Sequence, residues 1–194
     1  MTATDSSPAL QYAPELLLRA QDVRVAFFDV DGVLTDGGLY ISELPAGDPR
    51  GAAETIKRFH TLDGFGIKLL QRAGITPAVV TGRDSVPLRA RLKALGIAHA
   101  HFGTEDKLPA ARQILDTLGL DWQQAAAIGD DWPDLPVLGR AAFACAPPHA
   151  HAEVLAVAHH ITTHAAGQGA AREFCDVLVM ASGRYAGLLA EYKR

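Results

Sequence analysis

At 194 residues, 48% hydrophobic and 21% charged, the chain has the size and composition of an ordered globular domain with a sizeable core. Its net charge of −4 argues against a general nucleic-acid binder, although one basic cleft within an acidic whole stays open. No apolar run is long enough to cross a bilayer, and the opening MTATDSSPAL lacks the basic-then-apolar pattern of a secretory signal, so the expected setting is the cytoplasm with no membrane partner.

Residues 1–10 read as a disordered tail ahead of a helix near APELLLRAQ. VRVAFFDV (23–30) is a continuous apolar run, the mark of a strand covered on both faces. LYISE and AAETIKRF flank the Pro/Gly-rich LPAGDPRG and are expected to pair as a hairpin over about 37–60. DGFGIKLLQRAG (63–74) reads as a helix stopped at Gly74, ITPAVVTGR as a strand, and DSVPLRARLKALGI as a helix with Asp84 or Ser85 at its N-cap. AHAHFG is a short strand, EDKLPAARQILDTLGL a helix and QAAAIGDD a strand. WPDLPVLGRA carries its prolines early, where a first helical turn tolerates them. AFACAP is the last expected strand and GAAREFCDVLVMASG a final amphipathic helix. With no repeat or linker, the alternation predicts one α/β domain over 1–194: a Rossmann-like parallel sheet with helices on both faces.

In such sheets a ligand lies beyond the carboxyl ends of the strands. Four polar clusters occupy those ends: DVDG, TGR (81–83), EDK (105–107) and GDDWPD (129–134). Asp29 and Asp31 on their own read equally as turn or helix caps. Four clusters, each at a predicted strand end, would instead converge on one pocket. Asp29, Asp31 and Asp130 at a common edge would repel unless a cation sat among them, and hard oxygen ligands of this kind suit Mg²⁺. A carboxylate such as Asp29 can attack phosphorus to give an aspartyl-phosphate. Asp31, two residues on, can protonate the leaving oxygen and then activate water. Lys107 would neutralise phosphoryl charge, while the Thr81 hydroxyl and the amides of the DGVLTDGG turn would bind phosphoryl oxygens.

DVDGVLTDG, TGR, DK and GDDWPD resemble the four motifs of the haloacid dehalogenase superfamily, specifically its phosphatases, over about residues 23–182. The finer pattern, in IKRFHTLDGFGIKLL, VVTGRDS, GIAHAHFGTEDKLPA and HITTHAAGQGAAREFCDVLVMASG, is similar to the 3-deoxy-D-manno-octulosonate (KDO) 8-phosphate phosphatases of lipopolysaccharide precursor synthesis. The resemblance implies that Asp29 is nucleophile and metal ligand, that Asp31 is acid/base and also binds Mg²⁺ through its carbonyl, and that Asp130 is the later metal ligand. Thr81, with Gly82 beside it, and Lys107 match the phosphate-binding motifs, and Asp131 and Asp134 match supports that orient metal-bound water. Sugar-acid contacts would fall on Asp31, His60, Thr61, Leu62, Asp63, Gly64, Lys68, Arg83, Arg91 and Lys107. The late segment departs from the family in one place, with Gln168 where a basic residue is usual.

The superfamily often carries a cap domain. Here too few residues separate Asp36 from Asp63 for one with its own core, so the hairpin stands in its place. Capless members typically form tetramers, which implies a homotetramer with the hairpin at the interface and a phosphosugar acid as the small-molecule partner. Arg83, Arg91, Lys57, Arg58 and Lys68 would give such a pocket a basic rim, since Arg forks match phosphate and carboxylate. A nine-carbon, sialic-acid-type 9-phosphate phosphatase shares the motifs. A phospho-accepting receiver domain uses a similar Asp, Thr and Lys, but it lacks the D-x-D pair on the first strand. An idle scaffold sits badly with four intact motif groups. The eight histidines lack zinc-ligand spacing, no GxxxxGK[ST] loop is present, and Cys145 and Cys175 read as core filling.

Overall fold

The computed structural model describes residues 8–48 and 52–194. Most of the expected tail, residues 1–7, and the hairpin turn at 49–51 therefore lie outside the described residues. In chain order the elements are α1 (Pro14–Ala20), β1 (Val25–Phe28), β2 (Tyr40–Glu43), β3 (Ala52–Ile56), α2 (Thr61–Arg72), β4 (Thr76–Val80), α3 (Val86–Leu95), β5 (His99–His101), α4 (Lys107–Leu118), β6 (Ala125–Ile128), α5 (Leu135–Leu138), β7 (Phe143–Ala146), α6 (Ala152–Val157), β8 (His160–Ile161), α7 (Ala170–Ala181) and α8 (Tyr185–Tyr192). Short 3₁₀ turns precede β6 and α5.

Six strands form one parallel sheet in the order β5-β4-β1-β6-β7-β8, with β1 hydrogen-bonded on both sides. Its apolar run has no polar alternation because both faces are covered. Ala26 and Phe28 enter one core with residues of α2, α3 and α7, while Val25 and Phe27 enter a second core with residues of α4, α5 and α6. Phe174 of α7 meets Phe28 edge-on at 5.3 Å and stacks on Phe143 at 6.2 Å, which anchors α7 across the sheet. Cys145 and Cys175 are unpaired and fully buried in that same core.

From β1 the chain winds outward to β4 and β5, then returns to the other side of β1 for β6, β7 and β8. That reversal opens a crevice at the carboxyl ends of β1, β4 and β6. β2 and β3 form a separate antiparallel ribbon between β1 and α2, as the hairpin reading required.

Several local readings need correction. β1 is shorter than 23–30 because Asp29 and Val30 already turn into the loop. α2 starts at Thr61, ahead of the expected Asp63, because the His60 ring accepts the Leu62 N–H at 3.2 Å and caps it. Of the two residues expected to cap α3, Ser85 does hold the N-cap position, though without a side-chain cap bond, and the carboxylate of Asp84 forks onto Arg89 at 2.7 Å. α6, β8 and α8 were not expected. Among the described residues, no helix is long and apolar enough to cross a membrane.

Candidate active site

Asp29 follows β1 directly, and its amide bonds the Ile128 carbonyl at 3.1 Å, so the strand pairing itself sets where the carboxylate stands. Thr81 follows β4, Lys107 opens α4, and Asp130 follows β6. All four line one cleft of about 580 Å³ together with Asp31 and Arg83. The convergence read from the four strand ends is thus present in the fold.

Lys107 is 5% exposed and donates at 2.6 Å both to Asp29 Oδ1 and to Asp134 Oδ1. The other oxygen of Asp134 accepts the amides of Asp130 (3.0 Å) and Asp131 (3.3 Å). Asp134 therefore has both oxygens committed: it aims Lys107 and shapes the loop after β6. A Cβ on Gly129 would overlap the Asp134 side chain, which is why this turn runs through glycine. Asp131 caps the 3₁₀ turn by accepting the Trp132 N–H at 2.8 Å.

Carboxylate oxygens of Asp29, Asp130 and Asp134 all lie within 4.8 Å of one another. Among the described residues, no hydrogen-bond donor reaches the Asp130 carboxylate. Burial, then the Asp29 and Asp134 charges, push Asp130 up to about 8. Burial, then Asp134, push Asp29 up to about 6 against the pull of Lys107. Three carboxylates with a single buried lysine are short of positive charge, and their all-oxygen donor set is that of a hard cation. Gly32, at φ +83°, brings the loop so close that a Cβ there would overlap the Asp130 carboxylate. The residues present fit Mg²⁺, with Asp29 and Asp130 as the carboxylates open to it and the Asp31 backbone beside them.

The loop after β1 spends only some of its amides on itself. The amides of Val33, Thr35, Gly37 and Gly38 are spent on internal bonds. Those of Asp31 and Gly32 bond no protein acceptor among the described residues. Thr81 is 1% exposed, and its hydroxyl oxygen accepts the Arg83 amide at 3.3 Å, which leaves its proton free to donate. Gly167 N–H bonds the Val33 carbonyl at 3.0 Å, so the late AGQGA segment braces this loop from behind, with Gln168 exposed.

The other sugar-contact candidates are not brought to this cleft within one chain. Asp63 is 2% exposed, and its carboxylate accepts the Arg172 N–H at 2.9 Å, tying α2 to α7. Arg91 turns to the His60 carbonyl at 3.2 Å and the Phe59 ring, packed where a Cβ on Gly64 would collide with it. Thr61 and Lys68 are exposed on α2, and Leu62 lines a separate cleft with Tyr12 and His160. Arg83 alone of the arginine pair lines the carboxylate cleft, its Nε 3.6 Å from Asp31 Oδ2.

Lys57 is a residue that sequence reasoning left at the rim. It is 8% exposed and pairs with Asp31 Oδ1. Its only sequence signal was its place beside Arg58 at the exit of the hairpin. The brace of the His151 amide on the Asp130 carbonyl, at 2.8 Å, had no such signal.

Residues 103–174 match the model of the haloacid dehalogenase-like hydrolases. The 3-deoxy-D-manno-octulosonate 8-phosphate phosphatase of Yersinia pestis is 37% identical over 90% of this chain and 89% of its own. A probable YrbI family phosphatase from Pseudomonas syringae superposes with a TM-score of 0.85 at 41% identity, covering 94% of this chain and 99% of that one. The 3-deoxy-D-manno-octulosonate 8-phosphate phosphatase of Moraxella catarrhalis, solved with magnesium, phosphate and KDO, superposes at 0.83 with 35% identity over 93% of this chain and 99% of its own.

Proposed function

Since the chain belongs to the haloacid dehalogenase-like hydrolases, among the phosphatases of 3-deoxy-D-manno-octulosonate 8-phosphate, we propose that it removes the phosphate of that sugar acid through an aspartyl-phosphate, with Mg²⁺ as cofactor. The observation that carries this reading is the meeting of Asp29, Thr81 and Asp130, each just past a strand end, with Lys107 at the start of α4, in one cleft beside the amides of Asp31 and Gly32. The magnesium, phosphate and KDO held by the Moraxella relative support it.

Asp29 Oδ1 stays bonded to Lys107, which leaves Oδ2 to attack phosphorus. As that O–P bond forms, the ester P–O bond breaks, and Asp31 gives its proton to the leaving sugar oxygen. Asp31 then takes a proton from a water that attacks the same phosphorus, releasing inorganic phosphate and restoring the Asp29 carboxylate. Thr81 and the amides of Asp31 and Gly32 hold the non-bridging oxygens throughout. Mg²⁺, held by Asp29, Asp130 and the Asp31 carbonyl, would supply charge neutralisation for the phosphoryl oxygens.

Arg83 at the cleft rim is the candidate for the substrate carboxylate. A charged hydrogen bond is worth about 1.5–3 kcal/mol, so Arg83→Ala should raise KM for KDO 8-phosphate roughly 10- to 100-fold. KM for p-nitrophenyl phosphate should move far less. Steady-state kinetics on a panel of phosphosugars tests the assignment. KDO 8-phosphate should be strongly preferred to glucose 6-phosphate, and equal rates on the two would leave only "phosphatase". Faster turnover of a nine-carbon sugar-acid phosphate would move the assignment to that class.

The proposal extends to a homotetramer closed over the site. A lone two-stranded ribbon is marginal in water, yet β2 and β3 leave Tyr40, Ile41 and Ile56 47–63% exposed, with Leu39 beside them. Sedimentation should show a tetramer for the wild type and smaller species for Ile41→Glu. Full activity in a monomer would defeat the shared site.

A further inference from the structure

We propose that Lys57 is a positioning residue for Asp31, fixing the carboxylate that serves the leaving group and linking the hairpin to the reaction; the inference rests on the acid/base role given to Asp31 above. Register carries the first part of the argument. Tyr40 pairs with Ile56, so Lys57 is the first residue past the ribbon and lies at its base, against the loop that follows β1. There two consecutive basic residues meet two acids of that loop: Lys57 bonds Asp31 Oδ1, and Arg58 bonds Asp36 Oδ2 at 3.2 Å.

The two pairs differ in burial. The Arg58 side chain is 48% exposed, as expected of a surface ion pair that contributes little. The Lys57 side chain is 0% exposed, and its second partner is Glu54 at 3.1 Å. An ammonium taken wholly out of water is costly, and a ribbon needing only an anchor would be served by Arg58 or by an apolar residue. What a buried lysine adds is a fixed donor. With Oδ1 of Asp31 held, Oδ2 is the oxygen turned toward the cleft, 3.6 Å from Arg83. Thr35 Oγ1, at 3.5 Å, is too distant to hold Asp31 by itself. Freed from Lys57, the carboxylate regains rotamers that carry it off the leaving oxygen.

The test separates positioning from anchoring by leaving group. An alkyl phosphate expels a strongly basic oxygen and needs a placed acid, whereas an aryl phosphate does not. Rapid-quench measurement of phosphoenzyme formation is made with KDO 8-phosphate and with p-nitrophenyl phosphate. Lys57→Met should slow the step at least tenfold on the sugar ester and less than threefold on the aryl ester, with KM unchanged. Lys57→Arg should recover part of the loss. Because Lys57→Met strands Glu54 and Asp31, Glu54→Gln/Lys57→Met is measured beside it, with the Mg²⁺-induced melting shift as the control for an intact site.

Asp31→Asn should show the same split, and Asp31→Asn/Lys57→Met should be no slower than Asp31→Asn alone. Equal losses on both esters, multiplying losses in the double variant, or no loss would overturn the inference. A split in Asp31→Asn without one in Lys57→Met would reject Lys57 alone. No split in Asp31→Asn would remove the acid role of Asp31 and this inference with it.

Discussion

Asp29→Asn should abolish turnover while the protein remains folded. Removing the attacking atom of a covalent mechanism typically costs at least about 10⁴-fold in kcat, or roughly 5.5 kcal/mol of transition-state stabilisation. The amide keeps an oxygen able to accept from Lys107, so the Lys107–Asp134 arrangement survives the change. What is lost is the second carboxylate oxygen and the negative charge. That loss favours the empty fold, because burial and Asp134 already push the Asp29 carboxyl up to about 6. Its folded value lies above the unfolded one, so ionising it on the way to neutral pH costs stability. The metal-free variant should therefore melt no lower than wild type at pH 7, and ³²P labelling from substrate should find no phosphoenzyme. Wild-type rates would reject the nucleophile, and a collapsed melting transition would reject the claim that the charge is strained.

The sequence makes the backbone of this site legible and its fine orientation illegible, for physical reasons that particular residues show. VAFF reads as a central strand because its apolar run is too short for a helix and is cut off by the turn residues that follow, and that places Asp29 at a strand end. Thr81 and Asp130 follow by the same reasoning from β4 and β6, whereas Lys107 is placed by the start of α4. Lys57 does not, since its burial depends on a loop distant in sequence folding under the hairpin, and a lysine next to an arginine reads as surface. Asp63 and Arg91 show the converse. Their residue types suit an anion site, but the docking of α2 on α7 and Phe59 claims them. Asp134 carries a carboxylate that looks like one more metal ligand until its two oxygens are traced to Lys107 and two amides. The short β8 and the terminal α8 lie where local pattern is weakest and packing decides.

Asp130→Asn should uncouple the protein from magnesium, with stability as well as activity as the readout. In wild type, Mg²⁺ at about 100 times its Kd should add roughly 2.7 kcal/mol, which for a chain of this size is a melting shift of roughly 5–10 °C. Chelation should eliminate activity and Mg²⁺ restore it, with Ca²⁺ a poor substitute because its looser coordination misplaces the nucleophile. The variant should lose most of that shift, since it replaces the clustered carboxylate that no donor among the described residues reaches. The pH dependence runs the other way in the metal-free protein. Burial and the charges of Asp29 and Asp134 push Asp130 up to about 8, far above the unfolded carboxylate range. The folded state thus holds a proton that the unfolded state has released, and what Asp130 contributes to the stability of the metal-free protein falls as pH rises from about 4 toward 8. Asn carries no such proton. In chelator, Asp130→Asn should match wild type near pH 4 and melt progressively above it toward pH 8, while in Mg²⁺ at pH 8 the order reverses because only wild type gains the ion. A variant that keeps the magnesium shift, or that melts below wild type in chelator at pH 8, would show that Asp130 is satisfied by the protein and not poised for a cation.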